Sequence, residues 1–225
     1  MNQSRIKSSL YYLFCITILI LTSSCATTPS SPTDPRMLVG YGFPVKVDAI
    51  ADPGSLSKGK TYLVTSAMQG INDNDLQFKE FARYIANALS SKGFMRTDNP
   101  ENADLLIRLA YGIGEPQTSS KTVVTSYGYS YPAGWMWFTV PPMTETVEKT
   151  EYTKTLVLEA YDLKNPKQQA QLWKTTAKTI GPQDDLRIML AYVIAASAEY
   201  FGTNQGRQIN VHINGDDPRV LDIWK

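Results

Sequence analysis

The folded part of this chain must hold together without a disulfide, and its first 25 residues are the reason. Arg5 and Lys7 give a basic start, Leu10–Leu21 is an apolar run broken only by Thr17, and Ser23 and Ser24 lead directly into Cys25. Basic, apolar, then small is the order of a secretory signal peptide. The apolar run falls short of the ~20 residues that span a bilayer. Residues 1–24 are therefore expected to be removed, and Cys15 leaves with them. Cys25 is then the one cysteine left, so no intramolecular disulfide forms even in an oxidising compartment. Of the 225 residues, 201 remain, enough for one domain with a proper hydrophobic core.

A cysteine placed directly after the small residues resembles the bacterial lipoprotein signal. That resemblance implies acylation of the Cys25 thiol, cleavage of the bond before it and acylation of the new amino terminus. Thr22 stands where leucine is usual, with Leu21 one place earlier, and no Asp, Glu, Lys or Arg interrupts Tyr11–Ser24. The plainer alternative is an ordinary signal peptide cut nearby, with Cys25 left as a stray thiol. After Cys25, Ala26–Arg36 reads ATTPSSPTDPR and offers no large apolar residue to bury. Residues 25–37 are thus expected to be the lipidated cysteine and a flexible tether. At ~3 Å per residue the tether reaches roughly 30 Å. Ala26 occupies the place where, in enterobacteria-like envelopes, an Asp would retain such a protein at the inner membrane. The expected location is the outer membrane, lipid-anchored and facing the periplasm.

Removing Arg5 and Lys7 with the leader takes the 22 basic residues to 20 against 21 acidic ones, a net charge of −1. A near-neutral body lacks the clustered basic face of nucleic-acid binders, so no nucleic acid is expected as a partner. No polybasic patch attracts anionic lipid either, and no second long apolar run follows. Membrane attachment rests on the acyl chains.

Residues 38–225 read as one globular domain. Val45–Ile50 alternates as a strand, Asp52-Pro53-Gly54-Ser55 is a turn, and Lys60–Thr65 is a second short strand. Asp75 is placed to cap a helix whose apolar positions are Phe78, Phe81, Ala82, Ile85 and Leu89, with Gly93 as its stop. Leu105, Ile107, Leu109 and Tyr111 alternate in a strand, and Leu106 and Ala110 on its other side predict cover on both faces. Lys121–Tyr131 and Glu145–Asp162 are two long strand-like runs around an aromatic loop, a hairpin over 121–150. Ala170–Thr179 is a further strand. Asp184 or Asp185 caps a second helix carrying Leu186, Met189, Leu190, Val193, Ile194 and Phe201, stopped by Gly202. Gln208–Ile213 is a last strand before Gly215-Asp216-Asp217-Pro218 and a short tail.

The segments VKVDAI and KTYLV, a helix ending SKGF, ADLLIRLAYG, and later LVLEAYDL with QLWKTTAKT resemble one family. It is that of bacterial lipoproteins grouped as domain of unknown function 4136. The resemblance runs from about Val45 to Phe201, and Gln208–Lys225 lies beyond the usual end of the domain. It implies no activity, cofactor or catalytic residue. The expected fold is α+β: a two-layer sandwich with a mainly antiparallel sheet and two helices packed on one face.

Chemistry has little to work with. His212 is the only histidine and sits in an apparent edge strand, so it lacks partners for a triad or a zinc site. Glu145, Glu148, Glu151 and Glu159 lie along one run; paired carboxylates can hydrolyse glycosides, but interleaved Thr and Lys make a solvated face the simpler reading. Asp216-Asp217 lacks the spaced acids of a calcium loop and reads as a turn. No catalytic residue, metal site or cofactor is expected. The aromatic segment stands out: Tyr127, Tyr129 and Tyr131 at strand spacing, then Trp135, Met136, Trp137 and Phe138 after Pro132 and Gly134. Exposed aromatics stack on sugars, grip proteins or sit at a lipid interface. Alternatively they fold back as a small satellite core. The sequence thus points to a membrane-anchored, non-enzymatic binding or envelope-assembly module with an envelope protein or glycan as partner. The rivals are a hydrolase of envelope material and a structural subunit of an envelope complex.

Overall fold

In the computed structural model of this chain, residues 38–55, 60–164 and 170–225 are described. The leader, Cys25 and the expected tether lie outside them. Ten strands and three helices follow in order. They are β1 (Gly42–Ala51), β2 (Thr61–Ser66), α1 (Leu76–Ser90), β3 (Met95–Arg96), β4 (Leu105–Ile113), β5 (Gln117–Ser126) and β6 (Tyr129–Ala133). Then come β7 (Met136–Val140), β8 (Met143–Asp162), β9 (Gln171–Gly181), α2 (Leu186–Ser197), β10 (Ile209–Asn214) and α3 (Pro218–Trp224).

Period-two alternation decides which side of the sheet is dry. Val45, Val47 and Ala49 of β1, Leu105, Ile107 and Leu109 of β4, and Leu156, Leu158 and Ala160 of β8 are all buried. Their strands pair in the order β10–β1–β9–β8–β4–β2–β3. Every pairing is antiparallel except those of β2 with β3 and β4, which are parallel. The parallel pairs arise because α1 intervenes between β2 and its two partners, returning the chain in the same direction. The mostly antiparallel α+β class is as the sequence implied.

Helix α1 begins where expected: the Asp75 carboxylate accepts from the Phe78 amide at 2.9 Å. Gly93 follows its end at φ 78°, a left-handed conformation that a side chain disfavours. Phe81 meets Tyr111 of β4 edge-on at 4.5 Å, which sets α1 over that strand. Helix α2 is capped by Asp185 rather than Asp184, through the Arg187 and Ile188 amides. From Met189 to Ser197 every residue of α2 is buried, so this helix is interior on all sides. It packs on β1, β8, β9 and β10 and against both other helices. Between α1 and α2, Arg187 makes a two-pronged ion pair with Glu80, both contacts at 2.9 Å. The Arg187 hydrogen bonds hold the Glu80 carboxyl below its ordinary value.

Two expectations need correcting. The sequence predicts two helices, but the short tail forms a third. Asp217 caps it by accepting from the Arg219 amide, Pro218 supplies the preset first position, and Val220, Ile223 and Trp224 are buried. Seven residues are too few to display a helical period, which is why the pattern stayed hidden. Asn87 of α1 donates to the Ile223 carbonyl at 2.9 Å, and Trp224 meets Tyr192 edge-on at 5.7 Å, so α3 is anchored to both other helices. The second correction concerns β4. Leu106 and Ala110 are half-buried, not covered. They share their side with Arg108, which faces Glu159 across β8, and Glu159 in turn faces Lys174 across β9. That row of charges is a solvated surface.

Candidate functional site

β8 has twenty residues and does two jobs. Its later half lies between β4 and β9 in the main sheet; its first nine residues, 143–151, pair only with β5 among the described residues. Here the alternation of β8 turns from buried-and-open to open on both sides, with Thr, Glu and Lys in place of Leu and Ala. The result is a two-stranded arm. Ten residues of β5 at ~3.4 Å each carry it roughly 30 Å outward. Along β5 only Val123 is as much as half-buried.

A second hairpin, β6–β7, caps the arm. Its strands do not continue the shaft, because Tyr127 and Gly128 on one side and Pro141 and Pro142 on the other interrupt the ladder. Pro lacks the amide a ladder needs. A Cβ on Gly128 would stand 2.7 Å from the Val140 carbonyl oxygen, so only glycine allows the two sides to approach this closely. At the far end a two-residue turn, Gly134-Trp135, joins the strands with Gly134 at φ 67°, as primed hairpin turns require.

The structure places the sequence-predicted aromatics outside any core. Trp135 is 92 % exposed, Tyr127 84 % and Trp137 71 %; Tyr129, Tyr131 and Phe138 are also exposed. They do not form one platform. Register puts Tyr129, Tyr131 and Phe138 on one side of the hairpin, with Met136 and Val140. Tyr131 stacks on Phe138 at 6.0 Å and 21°, and Tyr129 leans on Tyr131 at 6.0 Å. Trp137 points to the other side, opposite Pro132. Trp135 stands at the turn, and Tyr127 lies in the connection before β6 rather than in strand register with Tyr129. The satellite-core arrangement is thus absent among the described residues.

The remaining candidates fall to structural work. Glu151 pairs with Lys149 at 2.7 Å, and Glu159 with Lys174 at 2.9 Å. Burial raises the Glu159 carboxyl, but the hydrogen bond and charge of Lys174, with Tyr161 and Arg108, outweigh it and hold the group below its ordinary value. Glu145 and Glu148 stand on the shaft, exposed and far from Glu159. Asp217 caps α3 and pairs with Arg219 at 2.8 Å. His212 lies on β10, the sheet edge, and is exposed. No group of three metal-ligating side chains occurs among the described residues. No described helix is long and apolar enough to cross a membrane.

One feature escaped the sequence reading. A cleft of about 640 Å³ lies at the base of the arm, walled by Tyr41, Phe43, Pro44, Ile180 and Met189. Lys154 lines it, fully buried, with its ammonium donating to the Gly181 carbonyl at 2.8 Å and lying 5.7 Å from the Tyr152 ring centre. Burial lowers its pKa, and the charges of Asp184 and Glu151 work against that. The signal was present in TEYTKTLVLEAYD: Lys154 has the same parity as Leu156, Leu158 and Ala160.

No curated protein matches this sequence. Among solved structures it is similar to a PDZ domain protein from Parabacteroides distasonis ATCC 8503, at 16 % identity and TM-score 0.41 over 76 % of this chain. The match spans 38 % of that protein. It is also similar to a PelC dodecamer from Paraburkholderia phytofirmans, at 16 % identity and TM-score 0.39, covering 73 % of this chain and all of that one. A DUF4136 family protein from Bacteroides thetaiotaomicron VPI-5482 matches at 14 % identity and TM-score 0.35, over 71 % of this chain and 97 % of that one. The family model described as Domain of unknown function (DUF4136) matches residues 45–197, from β1 to the end of α2, and the chain belongs to that family.

Proposed function

We propose that this chain is an outer-membrane lipoprotein facing the periplasm, anchored by acyl chains on Cys25, and that it is a non-enzymatic binding or envelope-assembly module. One observation carries the reading: large aromatics are held exposed at the end of an arm that contributes nothing to the core. Keeping indole and phenol rings in water is unfavourable, and rings so presented mark contact surfaces. Tyr129, Tyr131 and Phe138 make one side of the contact; Trp135 and Trp137 make the turn and the other side. The partner is an envelope protein or a glycan, both of which aromatic faces grip. The non-enzymatic part rests on the carboxylates, since Glu151 and Glu159 are held in ion pairs and separated along β8.

Replacing Trp135 and Trp137 together by alanine is expected to change unfolding free energy by less than ~1 kcal/mol, because neither is buried. Capture of the partner from native envelopes should fall by roughly 30-fold or more, the equivalent of a ~2 kcal/mol contact residue. A stability loss near ~3 kcal/mol, or capture unchanged, overturns the tip as the contact.

The anchor is tested separately. Cys25→Ala should release the protein from the membrane fraction or leave it unprocessed. Processed Cys25→Ala protein that stays with the membrane rules the anchor out.

A further inference from the structure

The shaft of the arm poses a problem that the aromatic tip does not solve. An isolated two-stranded ribbon is marginal in water, and this one is exposed along nearly its whole length: in β5 only Val123 is half-buried, and residues 143–149 of β8 are all exposed. Both edges are also free among the described residues: there β5 pairs only with β8, and residues 143–151 pair only with β5. Exposed edges are normally blunted by Pro, repeated charge or a bulge. β5 has no Pro and a single charge, Lys121, and its ladder runs in unbroken register from Gln117 to Val124, the one register shift falling between Val124 and Ser126 at the tip end. Thr118, Thr122, Val123 and Val124 make it β-branched as well. It has the properties of a strand that expects a neighbour.

Charge says which neighbour. β5 carries one base and no acid, while residues 143–151 carry Glu145, Glu148 and Glu151 against Lys149 alone. The two free edges of one arm are therefore opposite in sign. Lys149 is taken by Glu151 of its own chain, at 2.7 Å. Lys121 stands opposite Val147 and Glu145 opposite Val123, so both point to the same side of the ribbon as diagonal neighbours. No ion pair joins them or occupies either among the described residues.

We propose that the shaft is completed by a second copy of this chain, the free edge of β5 in one protomer adding to residues 143–151 of β8 in the next. Arms set side by side in one orientation alternate β5, β8, β5, β8. Every new pairing is then antiparallel, like the pairing inside the arm. Lys121 of one copy faces the acidic edge of its neighbour, with Glu145 on the same side. Pairing like edges instead sets two acidic segments together, or two edges that each carry Lys121, and like charges placed opposite cost free energy. Contacts between unlike edges are head-to-tail, and they close into a ring when the rotation per step allows.

This inference stands on the shaft, whereas the proposed function stands on the tip, so each can fail alone. The full chain, extracted from membranes in a non-ionic detergent, is examined by sedimentation velocity over a concentration series. Assembly beyond a dimer is expected. Lys121→Glu and Glu145→Lys should each move the association midpoint to about tenfold higher concentration. The double variant Lys121→Glu/Glu145→Lys restores the complementarity within and between arms, and should recover assembly. Trp135→Ala/Trp137→Ala should assemble as the parent does, whatever it does to partner capture. A monomer throughout the series, assembly indifferent to Lys121→Glu, or a double variant that does not recover overturns the proposal. Equimolar mixing of the two single variants guards against a trivial loss of the arm: it restores opposite charges between arms while each arm keeps its own like-charged pair, so it should recover assembly, which shafts that failed to fold could not do.

Discussion

Trp173→Ala is expected to cost about 3–5 kcal/mol, the range for deleting a buried aromatic that leaves a cavity. Trp173 sits in β9, between β1 and β8, with 2 % of its surface exposed. Its directly opposed neighbours are Ala51 on β1 and Ala160 on β8. Two small residues flanking one large one leave the room that the indole fills. Above it the Phe201 ring lies nearly parallel, 6.3 Å away and 10° inclined. Removing the indole leaves three alanines in a row and nothing beneath Phe201. Backbone strands on both sides hold the gap open, so relaxation is limited and the upper end of the range applies. Urea unfolding of the variant measures this, and in thermal unfolding, at ~2–4 °C per kcal/mol, the midpoint should drop by roughly 10–20 °C. Trp173→Phe, which keeps a ring over part of the site, should lose distinctly less. A loss under ~1 kcal/mol would mean that the indole is not the filling of that layer.

How much of this was legible before folding depends on whether a local pattern was long enough to be unambiguous. Asp75 is followed by Phe78, Phe81, Ala82, Ile85 and Leu89, an apolar repeat over about three turns, and the helix is there with that cap. β8 was readable because its later half alternates without a break from Lys154 to Asp162. The same pattern held Lys154 in the buried register, yet a single lysine among threonines reads as solvent-facing until the fold shows what surrounds it. The aromatic segment was singled out, but not its division into two sides. Tyr127, Tyr129 and Tyr131 have strand spacing, and only the approach of Gly128 to Val140 and Pro142 shows that the strand restarts after Tyr127. The parallel pairing of β2 was hidden for another reason. Parallel partners are distant in sequence, and no local spacing distinguishes Tyr62 facing Leu105 from Tyr62 facing an antiparallel neighbour.

The contrast among three leucines of β4 tests the one-sided character of the sheet directly. Leu109 is fully buried and Leu105 is 1 % exposed, while Leu106, between them in sequence, points to the open side and is half-buried. Leu109→Ala or Leu105→Ala should each cost ~2–5 kcal/mol, the transfer free energy of the lost methyls plus the cavity they leave. Leu106→Ala leaves no cavity, because solvent reaches its side of the strand. At ~25 cal/mol per Å² of apolar surface, a half-exposed leucine gives up roughly 1 kcal/mol. The strand, the residue type and the change in propensity are the same in all three variants, so the difference isolates what covers each side. If Leu106→Ala cost as much as Leu109→Ala, the side that carries Arg108, Glu159 and Lys174 would have to be covered in solution. The row of charges would then lie within an interface of the assembled protein. If both Leu105→Ala and Leu109→Ala cost well under ~1 kcal/mol, the side of β4 that α1 covers through Phe81 would not be packed at all. Equilibrium unfolding of the three variants under one condition distinguishes these outcomes.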